Sequence, residues 1–306
     1  MLVSAQLILG AKHIFMQDTF DNNYKALRAV VESWLESSSI SPFGELSEAE
    51  NYSLLAGGKR VRPVLTLAVA DSFGLERESL KGFCIALELL HTASLIHDDL
   101  PALDDDELRR GKPTCHKVHG EAVALLAGDS LIARALGLVS QSEALAPEVR
   151  CSLTVLLSDA FSKLCYGQVL DLNSEQGESE ESLKLRHEMK TAALIEAACV
   201  GPARVFFGPQ GVENIDKFQK FGKSLGLLFQ ISDDLLDVTG TSEELGKDAA
   251  SDERQNTSTY VSMYGLAGAK QMARKELANC KDHLSSINLE ADFLSKLCDY
   301  VFSRTS

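Results

Sequence analysis

Residues 78–99 read ESLKGFCIALELLHTASLIHDD and are apolar almost all round when placed on a helix. A helix of that kind belongs in the middle of a bundle rather than on its surface. It ends in two aspartates, and the chain continues as LPALDDDELRRGKPT. Pro101 disfavours a helical conformation at Leu100, so we expect the helix to end or bend there. The stretch therefore predicts a central helix that brings carboxylates to one end of the bundle.

Helical periodicity also dominates the remaining chain. In FDNNYKALRAVVESWLE, residues 20–36, apolar side chains recur every three or four positions, as in an amphipathic helix. Residues 121–141, EAVALLAGDSLIARALGLVSQ, are again apolar almost all round. Further helices are expected at 150–171, 183–207, 214–238, 262–286 and 290–303. Alternating β-branched stretches are nearly absent and no linker divides the chain, so the sequence predicts a single all-α domain over 1–306.

Composition limits the classes of function. The 306 residues are 45% hydrophobic, which suffices for a large core. The net charge of −14 argues against nucleic-acid partners and against anionic membranes, although bound cations or a local basic cluster still permit small anionic ligands. Cys84, Cys165 and Cys199 lie among apolar neighbours, so reduced, buried thiols of a cytoplasmic protein are expected. No uninterrupted apolar run is long enough to span a bilayer, and no stable membrane insertion is expected.

The carboxylates after the central helix form the first acidic motif, Asp98, Asp99 and Asp104, in the pattern D-D-x-x-x-x-D. Two carboxylates about 4 Å apart repel by roughly 4 kcal/mol at an effective dielectric constant of about 20. Oxygen ligands without cysteine partners favour Mg²⁺ over zinc, and the absence of a D-x-D-x-D-G loop makes calcium less favoured. The acids that follow are expected to be solvated, namely Asp105, Asp106 and Glu107.

The second acidic motif is Asp233, Asp234 and Asp237, within QISDDLLDVTG. Spacings of three and four place all three on one helical face, and apolar flanks indicate that this face looks inward. Three unpaired carboxylates on a buried face would be very costly, so a cation must meet them. Because Mg²⁺ takes only one or two protein carboxylates and completes its shell with water and phosphate, two such motifs suggest several ions that clamp a diphosphate.

A basic turn, AGGKRVRP, supplies Lys59, Arg60 and Arg62 after two glycines. Gly57 and Gly58 let the backbone approach an anion closely, and a helix that begins near Pro63 would add its N-terminus. A solvent-facing basic turn explains the turn alone equally well. Together with the arginine pair at 109–110, it indicates a second anionic group that needs no metal.

These segments resemble the trans-isoprenyl diphosphate synthases of the farnesyl and geranylgeranyl diphosphate synthase family from about Tyr52 to Arg304. The resemblance lies in seven motifs in order: GGKRVRP, LIHDDLPALDDDELRRGKPT, GEAVALLAGDSL, GQVLDL, KTAALIEAA, FQISDDLLDVTG and LGK. It implies a single isoprenoid synthase domain, a large helical bundle around a central cavity. It also implies a magnesium-dependent prenyltransferase, commonly a homodimer, that condenses isopentenyl diphosphate with dimethylallyl, geranyl or farnesyl diphosphate.

The resemblance further implies roles for individual residues. Mg²⁺ would bridge the allylic diphosphate to both acidic motifs: Asp98, Asp99 and Asp104, and Asp233, Asp234 and Asp237. Direct contacts with that diphosphate would come from Arg109, Lys190 and Lys247. Isopentenyl diphosphate would bind at Lys59, Arg62, His91 and Arg110. The positions beside the reacting carbons match Gln168, Thr191, Phe229 and Gln230.

The length of the product is expected to depend on the floor of the tunnel below the first acidic motif. By resemblance, Ala93 stands there, where short-chain farnesyl synthases usually carry an aromatic residue. A small side chain leaves room for one more isoprene, which favours geranylgeranyl diphosphate over farnesyl diphosphate. Leu89 and Leu90 lie deeper and would close the tunnel at either length.

Two positions depart from the family pattern, and two other classes of protein share part of it. Thr257 stands where the family usually has a lysine and Val261 where it has a proline, which is expected to weaken the hold on the diphosphate. His91 lies seven residues before Asp98, on nearly the same helical face, whereas His97 is expected to be an ordinary core histidine. A class I terpene cyclase is less favoured because the second motif does not fit one. A non-catalytic partner subunit is less favoured because both acidic motifs are present.

Overall fold

In the computed structural model, α1 spans Leu2–Ser37, with side chains described from Thr19 onward. The helices after it are α2 Glu45–Leu54, α3 Val61–Ser72, α4 Lys81–Asp98, α5 Cys115–His119, α6 Glu121–Ser140, α7 Pro147–Leu172, α8 Glu180–His187, α9 Ala193–Phe207, α10 Val212–Thr239, α11 Tyr260–Ile287 and α12 Asp292–Ser303. A 3₁₀ turn at Arg77–Leu80 precedes α4 and a π-helical turn at Glu188–Ala192 precedes α9. The described residues are 2–38, 44–174, 177–239, 258–287 and 291–303.

Helix α4 is the central helix that the sequence predicts. It packs against α3, α6 and α9, and most of its side chains are buried, among them Phe83, Leu87 and Leu90. Such a helix is apolar on every face because it has protein neighbours on every side. Its last helical residue is Asp98, which confirms that the chain leaves the helix before Pro101.

Helix α10 is the second long element of the core. It packs against α9, the π-helical turn and α11. A Cβ atom built at Gly226 would lie 2.4 Å from the Cβ atom of Ala192, so only glycine lets α10 approach the π-helical turn this closely. The two acidic motifs thus lie on the two core helices, at the end of α4 and near the end of α10.

The all-α prediction is confirmed, with three differences in detail. Within the described ranges, the one sheet is a hairpin of β1, Leu108–Arg109, and β2, Lys112–Pro113. The helix expected at 183–207 is divided by the π-helical turn, which a continuous apolar pattern does not reveal. All seven cysteines are free thiols, but Cys165 is exposed because α7 turns that face outward.

Two helical stretches, Arg77–Asp98 and Glu121–Ser140, are long and apolar enough to cross a membrane by length and composition. Charged residues interrupt both stretches, Glu88 in the first and Asp129 in the second, so neither is the uninterrupted apolar run that the sequence analysis looks for. The first is 72% buried within the bundle, as a core helix is. Glu121–Ser140 is only 33% buried, so α6 presents an apolar face outward.

Candidate active site

The first acidic motif forms where α4 ends and the chain folds back on it. The backbone N–H of Asp104 donates to the carbonyl oxygen of Asp98 at 2.8 Å, which brings the two residues side by side. The N–H of Asp105 bonds to the Leu100 carbonyl at 3.2 Å, and Asp105 has a left-handed φ of 51°. Local backbone hydrogen bonds, rather than a regular element, therefore position the third aspartate of the motif.

Burial makes these carboxylates costly to ionise. It raises the pKa of Asp98 to about 7, against the opposing charge of Lys190, and the carboxylate of Asp104 adds to the rise. The pKa of Asp104 is raised as well, chiefly by burial, although Lys190 again opposes the shift. Because burial is the main cause of both shifts, an additional cation beside these carboxylates would be stabilising.

Asp99, by contrast, is engaged by the hairpin. It is 3% exposed, and Arg109 donates to its carboxylate from Nε at 2.9 Å and also from Nη2. The same Nη2 bonds to Asp106 at 3.0 Å, so Asp106 is not the solvated acid that the sequence analysis expects. Arg109 pairs with Lys112 in the hairpin, and its side chain lies against Asp99 at the end of α4. The spacing of these residues along the chain does not indicate this contact.

The π-helical turn places Lys190 and Thr191 between the two acidic motifs. A Cβ atom at Gly167 of α7 would lie 2.3 Å from the backbone nitrogen of Lys190, so the turn packs directly on the α7 backbone. The Lys190 ammonium donates to Asp171, and its charge partly offsets the rise that burial causes in the pKa of Asp98 and Asp104. This turn therefore brings a cation to the first motif.

From the same turn a chain of hydrogen bonds leads to the second acidic motif. The Thr191 hydroxyl donates to Gln230 Oε1 at 2.7 Å, and Gln230 Nε2 donates to Asp234 Oδ1 at 2.9 Å. The backbone N–H of Tyr260 donates to Asp234 Oδ2 at 2.8 Å. Asp234 is thus bonded through both oxygens and is 4% exposed.

The other two aspartates of the second motif are more accessible than expected. Asp233 is half-buried, and its charge reaches Arg62, where it opposes the fall in pKa that burial causes. Asp237 is exposed rather than inward-facing, as are Val238 and Thr239 after it. The prediction of three carboxylates on one buried face therefore holds only in part.

The basic turn is anchored through a residue to which the sequence analysis gives no separate role. Arg60 is 3% exposed and has a left-handed φ of 52°. Its guanidinium bonds to Glu88 at 2.8 Å, to Glu32 at 3.0 Å and to the Leu54 carbonyl at 2.8 Å. Gly57, with φ 87°, shows the backbone freedom that the sequence analysis predicts. Arg60 therefore holds the turn from inside.

A cluster of basic side chains lies close to Arg60 and consists of Arg62, His91 and Arg110. Burial lowers the pKa of Arg62 although Glu88 opposes the shift, and burial lowers the pKa of Arg110 as well. The pKa of His91 falls well below its usual value through burial and through the neighbouring arginines, so His91 is neutral. Arg62 Nε is buried and has no acceptor within the described chain. Such an orphaned cationic donor beside a second arginine is suited to an anion.

Lys59 completes this cluster from the surface. Its side chain is exposed, and its backbone carbonyl accepts from the Tyr24 hydroxyl at 2.7 Å. The Arg110 guanidinium donates to the Gly57 carbonyl and packs on Gly58, where a Cβ atom would lie 3.0 Å from Arg110 Cζ. Because Gly58 has no side chain, the Arg110 guanidinium can pack directly on its backbone.

The remaining predicted residues extend the site inward. Gln168 is 7% exposed, its Nε2 lies 3.5 Å from Asp104 Oδ1, and its Oε1 finds no donor among the described residues. Phe229 is half-buried beside the core. The predicted floor of the tunnel is fully buried on α4: Leu89, Leu90 and Ala93. His97 bonds to the Leu125 carbonyl at 3.1 Å on the α6 side, as a structural histidine would.

Two predicted positions lie outside the described residues, namely Lys247 and Thr257. The motif GQVLDL does not by itself indicate a role for Asp171. Its spacing of three from Gln168 places both on one face of α7 and was a usable signal. Arg186, which also bonds to Asp171, follows from no sequence pattern.

The donor set fits magnesium rather than a protein-caged metal. Across the described ranges, no three acidic, histidine or cysteine side chains converge as a metal-binding group. Mg²⁺ needs only one or two protein carboxylates when phosphate and water supply the other ligands. The raised pKa of Asp98 beside Asp104 is what a site that gains a cation with its substrate would show.

Comparison with known proteins agrees with this geometry. A model of the polyprenyl synthetase family matches residues 44–291. The chain is 43% identical to the farnesyl diphosphate synthase of Micrococcus luteus over 263 residues, which cover 85% of this chain and 89% of that one. It is also 43% identical to the chloroplastic geranylgeranyl pyrophosphate synthase 3 of Arabidopsis thaliana over 268 residues, which cover 85% of this chain and 74% of that one.

Solved structures give the same result. The Helicobacter pylori geranyltransferase, complexed with magnesium and isoprenyl diphosphate, superposes with a TM-score of 0.79 at 31% identity, over 92% of this chain and 95% of that one. The superposition thus extends over nearly the whole of both chains. The chain belongs to the polyprenyl synthetase family and is a trans-prenyltransferase of the farnesyl and geranylgeranyl diphosphate synthase type.

Proposed function

We propose that the protein uses Mg²⁺ to condense isopentenyl diphosphate with an allylic diphosphate, with geranylgeranyl diphosphate as the main product. The observation that supports this most is the polar connection between the two acidic motifs. It runs from Asp98 and Asp104 past the Lys190 ammonium, and then from Thr191 through Gln230 to Asp234. A single diphosphate between the motifs would face cations and donors from both.

The aspartates divide into two groups. Asp98 and Asp104, with raised pKa values, and the half-buried Asp233 are proposed as the main Mg²⁺ ligands. Asp99 and Asp234 are bonded to protein donors, so they hold Arg109 and Gln230 in place from behind. When bound, Mg²⁺ stabilises negative charge on the departing diphosphate.

The second diphosphate is assigned to the basic cluster. Arg62 and Arg110 bind its oxygens, with the exposed Lys59 at the entrance and neutral His91 as a hydrogen-bonding partner. Burial lowers the pKa of both arginines, the charge of Arg110 adds to the shift at Arg62, and the charges of Arg60 and Arg109 add to it at Arg110, so a bound anion would relieve repulsion. This site needs no metal.

The chemistry follows from this separation of the two diphosphates. Arg109 and Lys190 hold the allylic diphosphate, together with Lys247, as its C–O bond breaks and the electron pair leaves with diphosphate. The double bond of isopentenyl diphosphate then attacks the allylic cation to form the new C–C bond, and one proton is lost to the released diphosphate. Dipoles that face the cation come from Gln168, Thr191 and Gln230, and Phe229 excludes water beside them.

The product is proposed from the residues below the first motif. The farnesyl and the geranylgeranyl relatives described above are equally similar, so overall identity does not decide the length. Ala93 is buried on α4 and small, which favours the twenty-carbon product, and farnesyl diphosphate is the alternative. Ala93→Phe should shift the products toward farnesyl diphosphate because the ring occupies the space of about one isoprene.

The test is incubation with Mg²⁺, isopentenyl diphosphate and each allylic diphosphate, followed by chromatography of the dephosphorylated products. Geranylgeraniol as the main product is expected, and chelation of Mg²⁺ should abolish it. Diphosphate release without chain elongation would indicate a cyclase, and no reaction would indicate a partner subunit. Farnesol from the wild-type protein would contradict the proposed length but not the reaction.

A homodimer through α6 is proposed because this helix leaves an apolar face uncovered. Leu125 and Leu126 are 47% and 56% exposed on it. Leu126→Glu should give a monomer in light scattering, while Val212→Glu at the exposed start of α10 should leave the dimer intact. A monomeric wild-type protein would contradict this proposal. A dimer that covers this face also agrees with a cytoplasmic location.

A further inference from the structure

Arg186 is a buried cation next to the proposed diphosphate site, and none of the roles above includes it. It stands in the last turn of α8 and is only 4% exposed. Its Nη1 donates to Asp171 Oδ1 at 2.5 Å, and its Nη2 donates to Glu178 and to the Ser258 carbonyl, the latter at 2.6 Å. One guanidinium thus joins α7, the segment before α8 and the segment before α11.

Asp171 is shared between this arginine and Lys190. Its Oδ1 accepts from Arg186 and its Oδ2 accepts from the Lys190 ammonium. Burial opposes ionisation of Asp171, but the two cations outweigh burial and lower its pKa. Asp171 therefore stays charged and bonds to Lys190, and its negative charge also reaches Asp104 in the first acidic motif.

Charge balance shows what Arg186 contributes. Arg186 and Lys190 together offset the carboxylates of Asp171 and Glu178. Without Arg186, Lys190 would be the only one of these two cations left to pair with the Asp171 carboxylate. The net charge beside Asp98 and Asp104 would then be more negative. A diphosphate would then meet a weaker positive potential at that ammonium.

The third contact of Arg186 leads to the second acidic motif. Arg186 fixes the Ser258 carbonyl, and two residues later the Tyr260 N–H donates to Asp234. The same guanidinium therefore supports both the lysine of the π-helical turn and the chain segment that holds Asp234.

We infer that Arg186 is a positioning residue for the allylic diphosphate: by neutralising Asp171 and holding Ser258, it keeps the charge of Lys190 available to that diphosphate. This inference rests on the proposed function, because it takes Lys190 to bind the allylic substrate. Lysine cannot replace the arginine fully, since an ammonium lacks the planar fork that reaches three acceptors.

The test compares Arg186→Met, Arg186→Lys and, as a control on the same helix, the exposed Lys184→Met. Arg186→Met should raise KM for the allylic diphosphate about tenfold, as expected for loss of a charge-assisted contact, and leave KM for isopentenyl diphosphate within about twofold. Arg186→Lys should recover part of the loss, and Lys184→Met should match wild type. Calorimetric binding of a non-hydrolysable allylic thiodiphosphate should weaken in parallel with KM.

Equal effects on both KM values, or unchanged KM values and binding in Arg186→Met, would overturn the inference. If Arg186→Met does not fold, Arg186→Lys decides, because a selective rise in the allylic KM is still expected. Lys190→Met separates the two proposals. If Lys190→Met leaves the allylic KM unchanged, the proposed role of Lys190 fails; if only the Arg186 variants behave as wild type, the inference alone fails.

Discussion

The two acidic motifs have similar sequences but different settings. The first lies at a break in the chain, where backbone hydrogen bonds fold Asp104 against Asp98 and the pKa of Asp98 rises to about 7. The second lies within a continuous helix, and Asp234 is fixed through both oxygens by Gln230 and the Tyr260 N–H. The first motif therefore keeps a buried carboxylate at Asp98 that the charge of Lys190 stabilises only in part, whereas the central carboxylate of the second is already satisfied by protein donors.

The largest effect is expected at the first motif. Asp98→Asn and Asp104→Asn should each lower kcat about a thousandfold or more, because the charge that recruits Mg²⁺ is lost. The control is Asp105→Asn, which is exposed and has a left-handed φ that asparagine tolerates, and it should keep full activity. Rates would be measured with radiolabelled isopentenyl diphosphate at saturating Mg²⁺. Equal losses in all three variants would remove the distinction between the motif and its solvated neighbours.

Asp98→Asn, which should abolish most of the activity, should nevertheless stabilise the metal-free protein. The pKa of Asp98 is raised in the folded protein, so its contribution to stability is full below about pH 4 and is lost as pH rises through about 7. With EDTA present, Asp98→Asn should therefore raise Tm by several degrees at about pH 8, and the gain should shrink toward about pH 5. Thermal unfolding by circular dichroism would follow this. A constant difference at every pH would contradict the assigned burial cost.

Asp234→Asn should instead destabilise the protein. Both oxygens of Asp234 now accept hydrogen bonds, one from Gln230 Nε2 and one from the Tyr260 N–H. In asparagine an NH₂ group replaces one of these oxygens and faces one of the two donors, which then has no acceptor. Leaving one buried donor unsatisfied costs about 1–3 kcal/mol, so the midpoint of urea unfolding should fall. A stabilised Asp234→Asn variant would mean that the Asp234 carboxylate is also costly to ionise without a bound cation. The contrast between the two motifs would then disappear.

Sequence reasoning predicted one motif better than the other, for a physical reason. Pro101 acts locally on the backbone, so the end of α4 at Asp98 was predictable. Asp237 is exposed together with the residues that follow it in α10, and the spacing of the aspartates does not reveal which turns of the helix are covered. Asp106 escaped prediction because its partner, Arg109, reaches it only through the hairpin.

The central connection shows the same limit. The motif KTAALIEAA indicated Lys190 and Thr191 but not the π-helical turn that contains them. In that turn Lys190 contacts Asp171 and Thr191 contacts Gln230. That turn depends on close packing against Gly167 and Gly226, two glycines on separate helices. A helical pattern alone is unchanged by a single wider turn, so the presentation of the site residues required the tertiary structure.

The smallest effect tests whether the two motifs are coupled at all. Thr191→Val keeps the shape of the side chain but removes the hydroxyl that donates to Gln230 at 2.7 Å. Loss of one neutral hydrogen bond is worth about 1 kcal/mol, so kcat/KM should fall about fivefold while Asp98→Asn remains far more severe. Thr154→Val is the matched control, since its hydroxyl bonds only within α7 to the Arg150 carbonyl. If Thr191→Val and Thr154→Val behave alike, the link from Thr191 through Gln230 to Asp234 has no part in the reaction, and the two motifs act on the diphosphate independently.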